Sequence, residues 1–169
     1  MTMTSSGTAT LTLPTDEQIL ITRGFDAPRA LVFRAYTEPD LVRRWWPGRR
    51  GVMRACEIDL RPGGRWRYAM VAEGGFDVAF HGEYREIVPG EKVVFTEIYE
   101  LPDGTLSEAT LNTATFTESD GRTTLELLTE TSSKDVRDMI LASGMEGGVQ
   151  EGLDILEELA IALGQRASA

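Results

Sequence analysis

The sequence predicts an α+β fold in which a curved antiparallel sheet packs against one long C-terminal helix. Three observations lead to this prediction. Apolar residues recur at helical spacing near the C-terminus, six strand-like segments follow one another with short turns between them, and only two short helical segments precede those strands. Because strands and helices do not alternate along the chain, the pattern is that of an α+β protein.

Length and composition fit one globular domain. The chain has 169 residues, of which 41% are hydrophobic and 26% charged. We expect a disordered tail over residues 1–15, which are rich in Thr and Ser, and a single domain over residues 16–165. No apolar run approaches the ~20 residues of a membrane span, and the first residues do not resemble a signal peptide. The single cysteine, Cys56, excludes an intramolecular disulfide and favours a cytoplasmic location.

The charge argues against two classes of partner. The net charge is −10, from 27 acidic and 17 basic residues, which opposes binding to nucleic acid or to an anionic membrane surface. Basic residues do cluster between Arg43 and Arg54, either as a solvated face or as a rim that attracts an acidic ligand. The sequence leaves the oligomeric state open, with a homodimer as one alternative.

The first elements are one strand and two short helices. Alternation around Ile19 predicts the strand. Asp26 as a cap and Pro28 in the first turn predict a helix, and Pro39 begins a second short helix that Pro47 ends.

Six more strands follow, each ended by Gly-rich or Pro-rich turn sequences. Because short hairpins join them, the strands are antiparallel, and the predicted sheet has seven strands in all. The six segments are Val52–Leu60, Arg65–Val71, Phe76–Ile87, Lys92–Glu100, Glu108–Thr117 and Arg122–Thr131.

The last element is the long helix, predicted from about Gly147 to Leu163. A glycine-rich break at residues 143–148 precedes it and predicts a turn or hinge with Met145 pointing inward. Acidic residues, Glu157 among them, are expected on the face opposite the apolar stripe. The stripe consists of Val149, Leu153, Leu156, Ala160 and Leu163.

Alternation within the strands predicts an inner face rich in large aromatic side chains. Such side chains, under a helix interrupted by glycine, indicate a ligand cavity, with a fully packed core as the alternative. Glu97 is expected on the same face of its strand as apolar neighbours. It therefore either lies in the cavity as a desolvated carboxyl group or reaches solvent through a twist or bulge of the strand. His81 is expected to face away from the cavity. The candidate ligand-binding residues are Trp46, Trp66, Tyr68, Met70, Phe80, Tyr84, Glu97, Met145 and Val149.

Several motifs resemble the activator of heat-shock-protein-90 ATPase homologue family, within the START-like, birch-pollen-allergen-like (SRPBCC) superfamily. The resemblance covers about Ile19 to Leu163. It implies a helix-grip fold with a cavity for apolar or amphipathic molecules. The residues that carry it are Arg23–Pro28, Val32–Pro39, Trp45–Pro47, Asp59–Trp66, Gly82–Tyr84 and Ser143–Met145.

Three functions remain open. The first is binding of a small hydrophobic or aromatic ligand without a cofactor. The second is a cofactor-free enzyme of polyketide cyclase, dehydratase or hydrolase type that uses Glu97, Tyr84 or Tyr68 in the same cavity. The third, implied by the resemblance, is a chaperone-interaction module. One His and one Cys are too few for a structural zinc site, and no phosphate-binding loop or nucleophile elbow is present, so no metal or cofactor is expected.

Overall fold

The computed structural model describes residues 9–49 and 51–167 and shows an α+β fold built on one curved antiparallel sheet. The helices are α1 (Arg29–Thr37), α2 (Pro39–Trp45), α3 (Lys134–Ala142) and α4 (Met145–Ala167). The strands are β1 (Thr10–Thr12), β2 (Gln18–Phe25), β3 (Val52–Ile58), β4 (Arg65–Val71), β5 (Asp77–Val88), β6 (Lys92–Glu100), β7 (Thr110–Ser119) and β8 (Arg122–Glu130).

The described sheet has eight strands, in the order β1-β2-β8-β7-β6-β5-β4-β3, so the prediction of seven was wrong by one. The additional strand is β1, which lies in the segment that was predicted to be a disordered tail. Its main chain pairs with β2, and Leu11 packs partly buried against the core. A strand of only three residues has too short an apolar pattern to be recognised in the sequence. Its pairing depends on backbone groups, which every residue has. Residues 1–8 of the predicted tail lie outside the described residues.

The core lies between the concave face of the sheet and the helices. Phe25, Phe116 and Leu125 are fully buried on the sheet side, and Leu156 and Ala160 are fully buried on α4. The apolar stripe predicted for the long helix therefore packs as expected, although the helix begins two residues earlier than predicted.

The break before α4 is a turn. Ser133 caps α3 by accepting a hydrogen bond from the Val136 backbone N–H at 3.2 Å. After α3 ends, Gly144 adopts a φ of +81°, which a residue with a side chain rarely adopts, and the chain reverses into α4. Gly147 and Gly148 then lie exposed in the first turns of α4, where an added Cβ would meet no atom within 4 Å.

A buried ion pair joins α4 to β2. The Arg23 guanidinium donates to Glu157 Oε1 at 3.0 Å and to Asp154 Oδ1 at 2.8 Å. The side chains of Arg23 and Glu157 are 0% and 2% exposed, so water screens this pair very little. Glu157 Oε2 also accepts the Asp26 backbone N–H at 2.7 Å. Glu157 thus ties α4 to β2 and to the start of α1, and its predicted place on the solvated face was wrong.

Asp26 does not cap α1 as the sequence predicted. Pro28 occupies the N-cap position, which has no side-chain hydrogen bond, and the Asp26 carboxylate instead lies 3.3 Å from Arg122. No described helix is both long enough and apolar enough to cross a membrane.

We expect Glu157→Gln to lower the free energy of unfolding by about 3 kcal/mol, because only the partly exposed Asp154 then compensates the buried Arg23 charge. Urea unfolding followed by circular dichroism measures the change. The matched control is Glu38→Gln, which breaks the exposed pair with Arg34 and should cost no more than about 1 kcal/mol. Equal losses in the two variants would contradict the anchoring role of Glu157.

Candidate functional site

The concave face of β4, β5 and β6 carries a continuous set of aromatic rings. Strand register places Tyr68 opposite Phe80, and Phe80 opposite Tyr99, because side chains directly across an antiparallel pair share a face. The Phe80 and Tyr99 rings stack at 5.0 Å, and the Trp66 ring lies 4.7 Å from Tyr68 and 5.7 Å from Phe95. The structure therefore brings together the aromatic residues that alternation predicted.

Trp46, which follows α2, extends this set from the helical side. Its ring meets Tyr68 at 5.3 Å and Phe80 at 5.5 Å, both edge to face. Tyr36 of α1 packs against Phe116 at 5.3 Å. Helices α1 and α2 thus both place aromatic side chains against the concave face of the sheet.

A local irregularity fixes the position of Trp66. Its indole Nε1 donates to the Thr96 carbonyl at 3.1 Å, which turns that carbonyl toward β5. A Cβ at Gly82 would lie 1.8 Å from the Thr96 oxygen, so only glycine allows this approach. The register of β5 and β6 shifts beyond Tyr84, next to this contact.

Glu97 lies on the concave face, between Phe95 and Tyr99 along β6. Of the two alternatives that the sequence left open, the structure therefore shows the inward one. The side chain is half-buried, and no described residue donates a hydrogen bond to its carboxyl group, whose oxygens therefore reach solvent-accessible space. Burial raises the pKa of Glu97 to about 7, because the apolar surroundings disfavour the charged form. A carboxyl group in this position can gain or lose a proton near neutral pH.

Three tyrosines face the same space and stay neutral at that pH. Burial is the main cause that raises the pKa of Tyr36, Tyr68 and Tyr84 well above the usual range, and the charge of Glu97 adds to it for Tyr36 and Tyr68. The neighbouring Tyr68 side chain partly offsets the effect of burial on the pKa of Tyr84. These hydroxyls are therefore hydrogen-bonding groups rather than bases.

A row of polar side chains continues from Glu97 across β7 and β8. Thr110 pairs in register with Glu97, and Asn112 Nδ2 donates to Thr110 Oγ1 at 3.0 Å. Thr129 Oγ1 in turn donates to Asn112 Oδ1 at 2.6 Å. Sequence reasoning missed this row. The available signal was Asn112, since an asparagine inside a strand at an inward position is uncommon.

The remaining predicted residues have the following places. Met70 lies opposite Val78 at the end of β4, and Met145 and Val149 of α4 pack partly buried against the core. Among the described residues, no hydrogen bond or ring contact connects Met70, Met145 or Val149 to Glu97.

The outer face of the sheet holds a separate polar group. Arg67 donates to both oxygens of Glu100 at 2.9 Å, and His81 Nδ1 lies 2.9 Å from Glu100 Oε2. His81 therefore faces away from the aromatic set, as predicted. Cys56 is buried, and burial raises the pKa of its thiol to about 11, so it is a poor nucleophile. Within the described ranges, no three His, Cys, Asp or Glu side chains gather where they could hold a metal ion.

Comparisons with solved structures give the same fold. A protein from Rhodobacter sphaeroides superposes with a TM-score of 0.84 at 21% identity, over 92% of this chain and 99% of that one. A protein from Chromobacterium violaceum is 27% identical, with a TM-score of 0.75 over 86% of this chain and 98% of its own. The AHSA1 protein from Silicibacter pomeroyi is 20% identical, with a TM-score of 0.71 over 86% of this chain and 99% of its own.

The sequence comparison is more specific about ancestry. No curated protein matches the sequence. The model of the family described as activator of Hsp90 ATPase homolog 1-like protein matches residues 26–160, from the start of α1 into the C-terminal half of α4. Because this match covers well over half of the chain, the protein belongs to the activator of Hsp90 ATPase homolog 1-like (AHSA1) family, with its START-like, SRPBCC fold.

Proposed function

We propose that this protein binds a small apolar or aromatic molecule between the concave face of the sheet and α4. The observation that supports the proposal is the accessibility of the aromatic set. Trp66 is buried, but most of the other side chains face the interior and are still reached by solvent in part, as residues that line a cavity would be. The half-buried aromatic residues concerned are Tyr36, Tyr68, Phe80, Phe95 and Tyr99, and Glu97 among them is half-buried too.

The chemistry of these side chains suits a flat or flexible apolar ligand. Aromatic rings offer large contact areas and lose little conformational entropy on binding. Most of the lining is apolar, and Glu97, Tyr68 and Tyr84 supply the few polar groups that would orient a ligand. In this proposal Met145 and Val149 lie at the mouth of the cavity, beside the turn at Gly144.

We expect Val149→Trp to weaken binding of an apolar dye at least tenfold, about 1.4 kcal/mol, because the larger ring would occupy ligand space. The probe is N-phenylnaphthylamine, whose fluorescence increases on transfer into an apolar site. The matched control is Met139→Trp, which adds an indole to an exposed position of α3 and should leave the affinity unchanged.

The unmodified protein provides the broader test. Saturable dye binding and displacement of the dye by flat aromatic compounds would support the proposal. A protein that binds none of a wide panel of apolar probes would have a filled core, and the proposed function would then be wrong. Equal dye affinity in a well-folded Val149→Trp variant would contradict only the placement of the mouth.

A cofactor-free enzyme is the second candidate, and Glu97 is the observation that favours it. A carboxyl group with a pKa of about 7 is matched to proton transfer at neutral pH. The neighbouring hydroxyls of Tyr68 and Tyr84 could donate hydrogen bonds to an oxygen on which negative charge develops. Cyclisation and dehydration are reactions that need such a proton donor and acceptor.

The raised pKa makes a stability prediction that is independent of any ligand. The folded protein holds the Glu97 proton more tightly than the unfolded chain does, so this group favours the fold below about pH 4.5, and its contribution is lost as pH rises to about 7. Relative to Glu97→Gln, the parent should lose up to about 3 kcal/mol between these limits, since each pKa unit is worth about 1.4 kcal/mol. Urea unfolding at several pH values measures this difference. Parallel pH profiles for parent and variant would show that Glu97 is solvated and would remove the argument for acid–base catalysis.

A further inference from the structure

The concave face at the proposed binding site carries one uncompensated charge. Among the described residues, Arg23 and Glu97 are the charged side chains on the buried and half-buried part of the concave face. Arg23 is neutralised by Glu157 and Asp154. Burial is the cause of the raised pKa of Glu97, and no basic side chain of the described residues contributes to it. When Glu97 is ionised, the cavity therefore has a net negative charge without a counterion from the described protein.

The aromatic rings near Glu97 also favour a positively charged ligand. Phe95 and Tyr99 lie two positions away on the same face of β6, and Trp66 and Phe80 contact them. The faces of aromatic rings are electron-rich and attract cations, with a contribution of about 2 kcal/mol where water is excluded. A negative carboxylate surrounded by aromatic rings is the combination that recognises ammonium groups.

We propose that the ligand of this cavity is an organic cation, with an amine or ammonium group beside Glu97 and an aromatic or other apolar body against the rings. This proposal rests on the proposed binding function and names its ligand class. Carboxylates such as fatty acids are disfavoured, because their charge would face Glu97 in a medium that screens it poorly. The net charge of −10 also attracts cations to the protein as a whole.

The groups that face Glu97 do not compete with it in titration. Tyr36 faces it from α1, Tyr68 from β4 and Tyr84 from β5, with Cys56 of β3 close to the last two. The pKa values of all four are raised by burial, so they remain neutral below about pH 10. Thr110 and Asn112 on β7 carry no charge. The charge of the site near neutral pH is therefore set by Glu97.

The test compares three probes of one shape: naphthylmethylamine, naphthylmethanol and naphthoate. Isothermal titration calorimetry at about pH 8 should show the amine binding at least tenfold more tightly than the alcohol, about 1.4 kcal/mol, and the carboxylate binding most weakly. At about pH 5 the amine is still protonated but Glu97 is neutral, so the advantage of the amine should disappear. This pH series needs no mutation and tests the proposal even if a variant fails to fold.

Glu97→Gln should abolish the ratio between amine and alcohol affinities at pH 8. The matched control is Glu83→Gln, which removes the same charge from the outer face of the sheet and should keep the ratio. If the alcohol binds saturably but the amine has no advantage at pH 8, or if Glu97→Gln retains that advantage, the cation proposal is wrong and the binding function stands. If none of the three probes binds, both proposals are wrong.

Discussion

The buried contact between Arg23 and Glu157 holds α4 across the sheet. A helix that packs only through apolar side chains can shift along its axis or rotate about it. The ion pair between Arg23 and Glu157, which water does not reach, fixes both the position and the rotation of α4. Glu157 also holds the backbone N–H of Asp26, so the start of α1 is fixed by the same carboxylate. The C-terminal half of α4 is therefore anchored to β2 and α1 together.

The other end of α4 is built differently. Gly147 and Gly148 offer no side chain to bury, and Gly144 reverses the chain without filling space. This end of the helix follows the short helix α3 and lies where Met145 and Val149 are only partly buried. The two halves of α4 therefore differ: the C-terminal half is anchored by an ion pair, whereas the N-terminal half carries small residues and packs less closely.

The two buried charges of the concave face illustrate the difference between stability and function. Arg23 has two carboxylates within 3.0 Å and contributes to the fold. Glu97 has no ionic partner among the described residues, and its pKa is raised by burial, so it costs stability whenever it is ionised. A position that costs stability and is nonetheless charged marks a functional site more strongly than the aromatic residues around it.

The period of two in the strands was sufficient to predict the aromatic face, since Trp66, Tyr68, Phe80 and Tyr84 alternate with charged or solvated neighbours. This alternation could not predict which face Glu97 occupies, because a bulge or twist moves a strand residue to the other face. The sequence gives no signal for such a bulge. Glu157 was assigned to the wrong face because it is charged. It lies one turn after Leu153, at the border of the apolar stripe, and only the arginine on a distant strand makes that position favourable.

The polar row on β7 and β8 and the aromatic set on β4, β5 and β6 meet at Glu97. Asn112 and Thr129 satisfy each other, so the polar row does not require a ligand to complete its hydrogen bonds. Glu97, at the end of that row, does have acceptor capacity left, and the rings on its other side can cover an apolar body. In the proposed complex, a ligand with one polar end would place that end at Glu97 and its apolar part along Tyr68, Phe80 and Trp46. Replacing Glu97 would then change the charge of the concave face without altering the anchored helix.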